Sequence, residues 1–249
     1  MVRVKTGIQG FDKLVQGGFP KGHIVLLVGS PGTGKTIFSM QYLYNGATKF
    51  KEKSMLVTLE QSLKDVRTQS KDLGMKLEPL EKKGALTLMH IPVADLGTDT
   101  VDQIKKEVKK RKIKRLVIDS LSTLAINAPI YTPLKDLALR DAMNYKAFFS
   151  PPILGDFVVK RFIYKFLDDL KEIGCTTIVT GESSEKGDFL SRDTVSEFVA
   201  DGVIQVTFES MGGDYSRSLL VRKMRGTKND EDIHPVEITN KGVKIHDLK

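Results

Sequence analysis

A glycine-rich segment near the start of the chain has the residue types and the spacing that bind phosphate groups. Residues 29–36 read GSPGTGKT and match the pattern G-x-x-x-x-G-K-[ST] at every fixed position. Glycines let the backbone curl until several N–H groups point at one anion. In such a loop the amine of Lys35 reaches the β- and γ-phosphates, and the hydroxyl of Thr36 binds Mg²⁺. The predicted nucleotide-binding residues are Gly29, Ser30, Pro31, Gly32, Thr33, Gly34, Lys35 and Thr36.

Two carboxylates follow apolar runs and could complete a hydrolytic site. Asp119 ends the run Leu116–Ile118, at a strand end where an aspartate holds the Mg²⁺ shell through water. Glu60 ends the run Met55–Leu59, on a strand that we expect beside the phosphate loop. A carboxylate there can polarise the water that attacks the γ-phosphate, and a plain polar strand end is the alternative. The chain has no Asn-Lys-x-Asp guanine-reading motif, which favours ATP.

The elements that would position these residues alternate as in an α/β sheet. Apolar strand patterns alternate with helical patterns, which predicts a mostly parallel central sheet with helices on both faces. The main strand patterns are Ile24–Val28, Ser54–Leu59, Leu86–His90, Leu116–Ile118 and Thr176–Thr180, and the helical ones include Leu63–Leu73 and Val159–Ile173. Beyond residue 200 short strand patterns follow each other closely, so we expect antiparallel strands toward the C-terminus.

Length and composition favour one domain. The 249 residues suffice for a large α/β domain, and no linker-like stretch divides them, so we expect a single domain over residues 1–249. No apolar run approaches the roughly 18 residues of a membrane span, so we expect a soluble cytoplasmic protein with no membrane partner. The single cysteine and the four scattered histidines predict no transition-metal site.

The order of the motifs resembles that of single-domain KaiC-like ATPases of the RecA/RadA superfamily, with their P-loop NTPase fold. The resemblance covers nearly the whole chain. The segments that carry it are residues 6–22 (TGIQGFDKLVQGGFPKG), the phosphate loop, Glu60, Asp119-Ser120, residues 180–182 (TGE), residues 197–203 (EFVADGV) and residues 223–227 (KMRGT).

This resemblance implies a Mg²⁺-dependent ATPase that assembles into a homo-oligomeric ring, expected to be a hexamer, and serves regulation or remodelling of an unidentified protein partner. It implies that Glu60 is the catalytic glutamate. It also implies that Lys223 and Arg225 reach the γ-phosphate held by the neighbouring subunit. The family usually has two adjacent glutamates where this chain has Glu60 and Gln61, which leaves one base. Autophosphorylation is not carried over, because the chain has one ATPase copy.

Two other functions stay open at this stage. A DNA-binding recombination or repair ATPase of the RadA/RecA type is suggested by the net charge of +8. Against it, only a few residues precede the ATPase core, where such recombinases carry a helical DNA-binding domain. An ATP-binding scaffold with little hydrolysis is suggested by Gln61, which replaces a carboxylate.

One segment interrupts the alternation of strands and helices. Residues 124–158 are rich in proline and aromatic side chains and are longer than an ordinary connection. We predict an insertion at about 125–158 that lines a central channel or a ring face and contacts the partner. A surface excursion packed by its own aromatic residues is the alternative.

Shortening this insertion should leave the basal ATPase rate unchanged, because the predicted catalytic residues lie outside it. The measurement is steady-state ATP hydrolysis by the shortened chain, with circular dichroism as the test of folding. An unfolded product would show that the aromatic residues belong to the core.

Overall fold

The computed structural model describes residues 1–97, 99–131, 151–184, 190–211 and 214–248. Within these ranges the strands are β1 Arg3–Val4, β2 Phe19–Pro20, β3 Ile24–Gly29, β4 Ser54–Thr58, β5 Leu86–His90, β6 Arg115–Asp119, β7 Thr176–Glu182, β8 Gly202–Met211, β9 Asp214–Met224, β10 His234–Thr239 and β11 Gly242–Ile245. The helices are α1 Phe11–Leu14, α2 Lys35–Lys49, α3 Leu63–Asp72, α4 Glu78–Lys82, α5 Thr100–Arg111, α6 Leu121–Tyr131, α7 Pro151–Ile173 and α8 Ser196–Val199, with a 3₁₀ turn at Val93–Asp95. None of the described helices is both long and apolar enough to cross a membrane.

One large sheet has the strand order β11-β10-β9-β8-β3-β7-β6-β4-β5. The strands from β8 to β5 in this order are parallel to one another, whereas β9, β10 and β11 pair antiparallel. The predicted fold, a mostly parallel sheet with antiparallel strands toward the C-terminus, is confirmed. Strands β1 and β2 form a separate antiparallel pair.

The prediction that the strand before Glu60 lies beside the phosphate-loop strand was wrong. Strands β7 and β6 separate β4 from β3. These strands are all apolar runs buried on both faces, so their patterns do not specify which of them are neighbours. Because β4 pairs with β6, with Thr58 opposite Asp119, the carboxylate of Glu60 comes next to the end of β6 instead.

Helices cover both faces of the sheet, and β3 contributes to the core on each side. Ile24, Leu26 and Val28 pack in the core that includes residues of α5, α6 and α7. Val25 and Leu27 pack in the opposite core, which includes residues of α1 and α2. All five are fully buried, which explains why the run is continuously apolar rather than alternating. This packing fixes the strand that carries the phosphate loop.

The segment predicted as an insertion at about 125–158 begins and ends in helices. In the described part of the chain helix α7 extends from Pro151, eight residues before the predicted start. Leu124 and Val158 are buried, so a deletion that tests the insertion should be confined to residues 132–150. Those residues lie outside the described part of the chain, and their predicted role stays a prediction.

Candidate functional site

The phosphate loop leaves the carboxyl end of β3 and enters α2 at Lys35. Its geometry requires glycine. A Cβ atom on Gly29 would lie 2.3 Å from the carbonyl oxygen of Val206 on the neighbouring strand β8. Gly32 and Gly34 have φ angles of 80° and 103°, which other residues rarely adopt. The loop therefore curls in front of the α2 N-terminus, whose first N–H groups lack helical partners and attract anions.

The amine of Lys35 points back onto this loop. Its Nζ donates to the carbonyl oxygens of Gly29 at 2.8 Å and Ser30 at 3.0 Å. Burial lowers the pKa of Lys35, and three carboxylates oppose that change. The three are Asp119, Glu182 and Glu60. The amine of Lys35 is thus influenced by three carboxylates, of which the sequence predicted only Asp119 and Glu60 as site residues.

Asp119 lies at the end of β6, where two hydroxyls hold its carboxylate. Thr36 Oγ1 donates to Oδ2 at 2.8 Å, and Thr180 Oγ1 donates to Oδ1 at 2.5 Å. Burial raises the pKa of Asp119, and these two hydrogen bonds oppose the rise. In the described ranges no three His, Cys, Asp or Glu side chains gather as a metal cage of protein ligands would require. A hydroxyl beside a carboxylate does fit Mg²⁺, which takes few protein ligands and completes its shell with phosphate and water oxygens.

Glu60 reaches from the end of β4 to the turn between β6 and α6. Ser120 Oγ donates to Glu60 Oε1 at 2.6 Å, and Thr123 Oγ1 donates to the same oxygen. Two hydroxyls therefore orient an otherwise exposed carboxylate. Sequence reasoning missed Ser120 and Thr123 as partners of Glu60, although hydroxyl residues one and four places after Asp119 were the available signal.

Gln61 has different surroundings from Glu60. It lines a narrow groove between α2 and α3 together with Ile37, Met40, Val66 and other residues, among them Thr36 of the site. Its Oε1 atom is buried and has no hydrogen-bond partner among the described residues. The side chains at the two positions where the family usually has glutamates therefore make different contacts.

A third carboxylate, Glu182, ends β7 directly opposite Gly29 on β3. Its backbone N–H donates to Ser122 Oγ at 2.8 Å, and its carboxylate accepts from Arg192 Nη1 at 2.9 Å. Sequence reasoning had placed Glu182 only in the motif that carried the resemblance. Its position beside the phosphate loop places it with Asp119 and Glu60 at the carboxyl ends of the strands.

Lys223 and Arg225 lie near the amino end of β3, which is the opposite end of the parallel strands from the phosphate loop. Lys223 Nζ donates to three backbone carbonyls at the end of α8, the shortest of these bonds being 2.8 Å, and burial lowers its pKa. Met224 at the end of β9 pairs with Gly202 at the start of β8, and Gly202 also pairs with Val25 of β3. Val25 precedes Gly29 by roughly 13 Å of extended strand. The structure therefore does not bring these two cations to the phosphate loop of their own chain.

Comparison with known proteins points to KaiC and its relatives. A family model described as "ATPase: KaiC" matches residues 4–132 and 153–249. A UPF0273 protein of Methanocaldococcus jannaschii is 32% identical over 262 residues, which cover 99% of this chain and 97% of that protein. The circadian clock oscillator protein KaiC of Synechococcus elongatus is 30% identical over 257 residues. A crystal structure of a KaiC-like protein from Pyrococcus horikoshii has a TM-score of 0.81 and 33% identity, covering 99% of both chains.

These matches differ in how much of the other protein they cover. The match to the Synechococcus protein covers 100% of this chain but 45% of KaiC, so this chain spans less than half of that protein. The family match leaves out residues 133–152, which fall within the segment predicted as an insertion.

Replacing Lys35 with alanine should abolish ATP binding or weaken it by about 10²-fold or more, because the amine supplies the positive charge nearest the predicted phosphate site. The measurement is titration with ATP in the presence of Mg²⁺. Lys49→Ala is the matched control, since Lys49 lies at the far end of the same helix and contacts the carbonyl of Gly7. Equal ATP affinity in both variants would contradict the assignment of the loop.

Proposed function

Because this chain belongs to the KaiC-like ATPase family, as its motif order predicted, we propose that it is a Mg²⁺-dependent ATPase whose active sites form between the subunits of a homo-oligomeric ring. The family match itself supports an ATP-binding ATPase domain with the RecA-like P-loop fold. The observation that carries the rest is the division of the predicted site. Four of its residues lie at the carboxyl ends of the parallel strands: Lys35, Thr36, Glu60 and Asp119. The two cations, Lys223 and Arg225, lie near the amino end of β3.

In this proposal the phosphate loop and the first turn of α2 bind the phosphates of ATP. The backbone N–H groups of the curled loop and of the helix start donate to phosphate oxygens. Lys35 exchanges the carbonyls of Gly29 and Ser30 for phosphate oxygens. The exchange is favourable because a half-buried ammonium gains more from an anion than from neutral acceptors.

Thr36 and Asp119 would hold Mg²⁺, Thr36 through its hydroxyl and Asp119 through water. When bound, the ion neutralises charge on the β- and γ-phosphate oxygens. The hydrogen bond from Thr180 keeps the Asp119 carboxylate in one orientation. Such an orienting partner matters because the position of the carboxylate determines the position of its water ligand.

Glu60 orients and deprotonates the water that attacks the γ-phosphorus. Since Ser120 and Thr123 hold Oε1, the carboxylate presents Oε2 in a fixed direction. As the bond from the water oxygen to phosphorus forms and the bond to ADP breaks, Glu60 takes up the proton that the water loses. This fixed carboxylate favours hydrolysis over the scaffold alternative, because the glutamine at position 61 does not remove the base.

A cation must also reach the γ-phosphate, because negative charge spreads over its oxygens in the transition state. Lys223 and Arg225 lie too far along the sheet to serve their own loop. We therefore assign them to the site of the neighbouring subunit. A closed ring lets every site receive the cations of one neighbour, and a hexamer is the expected size.

Hydrolysis would then change the conformation of the ring and so regulate or remodel a protein partner. The proposal places the protein in the cytoplasm, where ATP is available. DNA binding stays a prediction from the net charge of +8. The ATPase rate with and without single-stranded DNA, at low and high salt, would test it.

Replacing Glu60 with glutamine should preserve ATP binding and slow hydrolysis by roughly 10²-fold or more, because the amide keeps the shape but cannot take a proton. The measurements are the ATP dissociation constant and single-turnover hydrolysis. Gln61→Ala is the companion variant and should retain turnover. Retained turnover in Glu60→Gln with loss in Gln61→Ala would assign the water to Gln61 instead.

Replacing Arg225 with alanine should lower turnover and leave ATP affinity largely intact, because the guanidinium acts on the γ-phosphate of another subunit. Mixing this variant with Glu60→Gln should restore partial activity. In an equal random mixture up to about a quarter of the interfaces combine an intact Glu60 with an intact Arg225. The measurement is the ATPase rate of subunits mixed and reassembled with ATP.

The matched control for this mixing experiment is Glu60→Gln combined with Lys35→Ala. Both substitutions damage the site at the carboxyl ends of the strands, so no mixed interface is complete and no recovery is expected. If Arg225→Ala and Glu60→Gln also fail to complement, despite native mass spectra that show mixed oligomers, the arginine does not act in trans.

A further inference from the structure

One carboxylate, Asp201, lies beside the cations that the proposed function assigns to the neighbouring site. It stands in the turn between α8 and β8, and its side chain is 13% exposed. Two backbone hydrogen bonds fix this residue. Its N–H donates to the carbonyl oxygen of Ile24 at 2.9 Å, and its carbonyl oxygen accepts from the backbone N–H of Arg225 at 2.8 Å. Its Oδ2 accepts from the N–H of Ile24 at 3.1 Å. These hydrogen bonds therefore fix the carboxylate of Asp201 at the amino end of β3.

The other oxygen of this carboxylate holds Arg225. Asp201 Oδ1 accepts from Arg225 Nη1 at 3.1 Å, and the carbonyl of Phe198 accepts from Nη2 at 3.2 Å. A guanidinium has five N–H donors, and these two bonds use one donor on each terminal nitrogen. The side chain remains 50% exposed. Arg225 is thus held at one end, and donors remain for an acceptor that approaches from outside.

The cluster keeps a positive charge in spite of the carboxylate. Lys171 Nζ lies 3.5 Å from the same Oδ1 atom, and Lys223 lies near enough for Asp201 to raise its pKa against burial. Three cations around one carboxylate leave a formal charge of +2, from three minus one. The partly buried His23 nearby has a lowered pKa, caused first by burial and opposed by Asp201. An anionic phosphate that approaches this surface is therefore attracted rather than repelled.

We propose that Asp201 is a positioning residue, which holds the guanidinium of Arg225 in the orientation that meets the γ-phosphate of the neighbouring subunit. This inference rests on the proposed function. A free arginine side chain has many rotamers. Ordering it into one rotamer during the reaction costs entropy and raises the barrier. A carboxylate and a carbonyl in the same subunit exclude most of the other rotamers before the subunits meet.

The test uses Asp201→Asn, because the amide oxygen can still accept from Ile24 while the charge that orients Arg225 is lost. We expect kcat to fall about tenfold, the low end of what loss of an orienting partner causes at other sites. The KM for ATP should stay within about twofold. Glu81→Gln is the matched control, since Glu81 also pairs with an arginine, Arg67, through two bonds of 2.9 Å, and should leave kcat unchanged.

Coupling to Arg225 distinguishes positioning from a general structural effect. In the Arg225→Ala background, Asp201→Asn should cause no further loss, because the group through which it acts is gone. Asp201→Asn mixed with Glu60→Gln should recover partial activity, as Arg225→Ala does. Mixed with Arg225→Ala it should recover none. An equal tenfold loss in the Arg225→Ala background would overturn the inference.

The outcomes separate this inference from the function on which it rests. If Arg225→Ala retains full turnover, the proposed trans site is wrong, and the inference falls with it. If Arg225→Ala loses turnover and a folded Asp201→Asn does not, only the positioning role is wrong. Should Asp201→Asn fail to fold, Asp201→Glu serves as the second variant, since it keeps the charge but displaces the carboxylate by one methylene. It should also lower kcat, and only when Arg225 is present.

Discussion

The hydrogen bond between Thr36 and Asp119 joins the phosphate loop to the end of β6, and it forms only because β3 and β6 end at the same level of the sheet. Strand β7 lies between them, so their alignment depends on two parallel ladders in register. A slip of one residue would turn each side chain to the opposite face of the sheet and carry Asp119 away from the site. Burial of all three strands on both faces prevents such a slip. The chemistry of the site therefore depends on apolar packing that contains none of its residues.

The same end of the sheet gathers carboxylates and must also hold the phosphates of ATP. Three carboxylates raise the pKa of Lys35 against burial, and one of them, Glu182, is paired with Arg192. A second cation, Arg217, donates to the carbonyl of Gly32 in the phosphate loop at 3.3 Å. This end of the sheet suits a divalent cation and an oriented water molecule. It also repels the phosphates that it must bind, since charges interact strongly where burial excludes water. In the proposed function a metal ion and the cations of another subunit add to the positive charge that Lys35 and Arg217 supply.

Sequence patterns predicted the elements well and their lateral arrangement poorly. The strand Leu86–His90 was predicted with the observed bounds, because a short apolar run between Gly84 and Pro92 is a local signal. The four-residue helices α1 and α8 were missed, since one helical turn has too few residues to show a period. The neighbours of β4 could not be predicted because several strands are equally apolar. For the same reason the contacts of Glu60 with Ser120 and Thr123 became visible only when β4 and β6 were found to pair.

In the proposed function, the division of the site between the two ends of the sheet constrains how subunits associate. A contact that joins the carboxyl end of the sheet in one subunit to the amino end in the next uses two different surfaces, so each subunit keeps one free surface of each kind. An open chain of subunits then leaves one phosphate loop without the cations of a neighbour and one pair of cations without a phosphate. Only a closed ring completes every site. The carboxylate of Asp201 and the carbonyl of Phe198 hold Arg225 within its own chain, so in the proposed ring each subunit would bring an ordered cation to this contact. The interface then needs to supply only the phosphate.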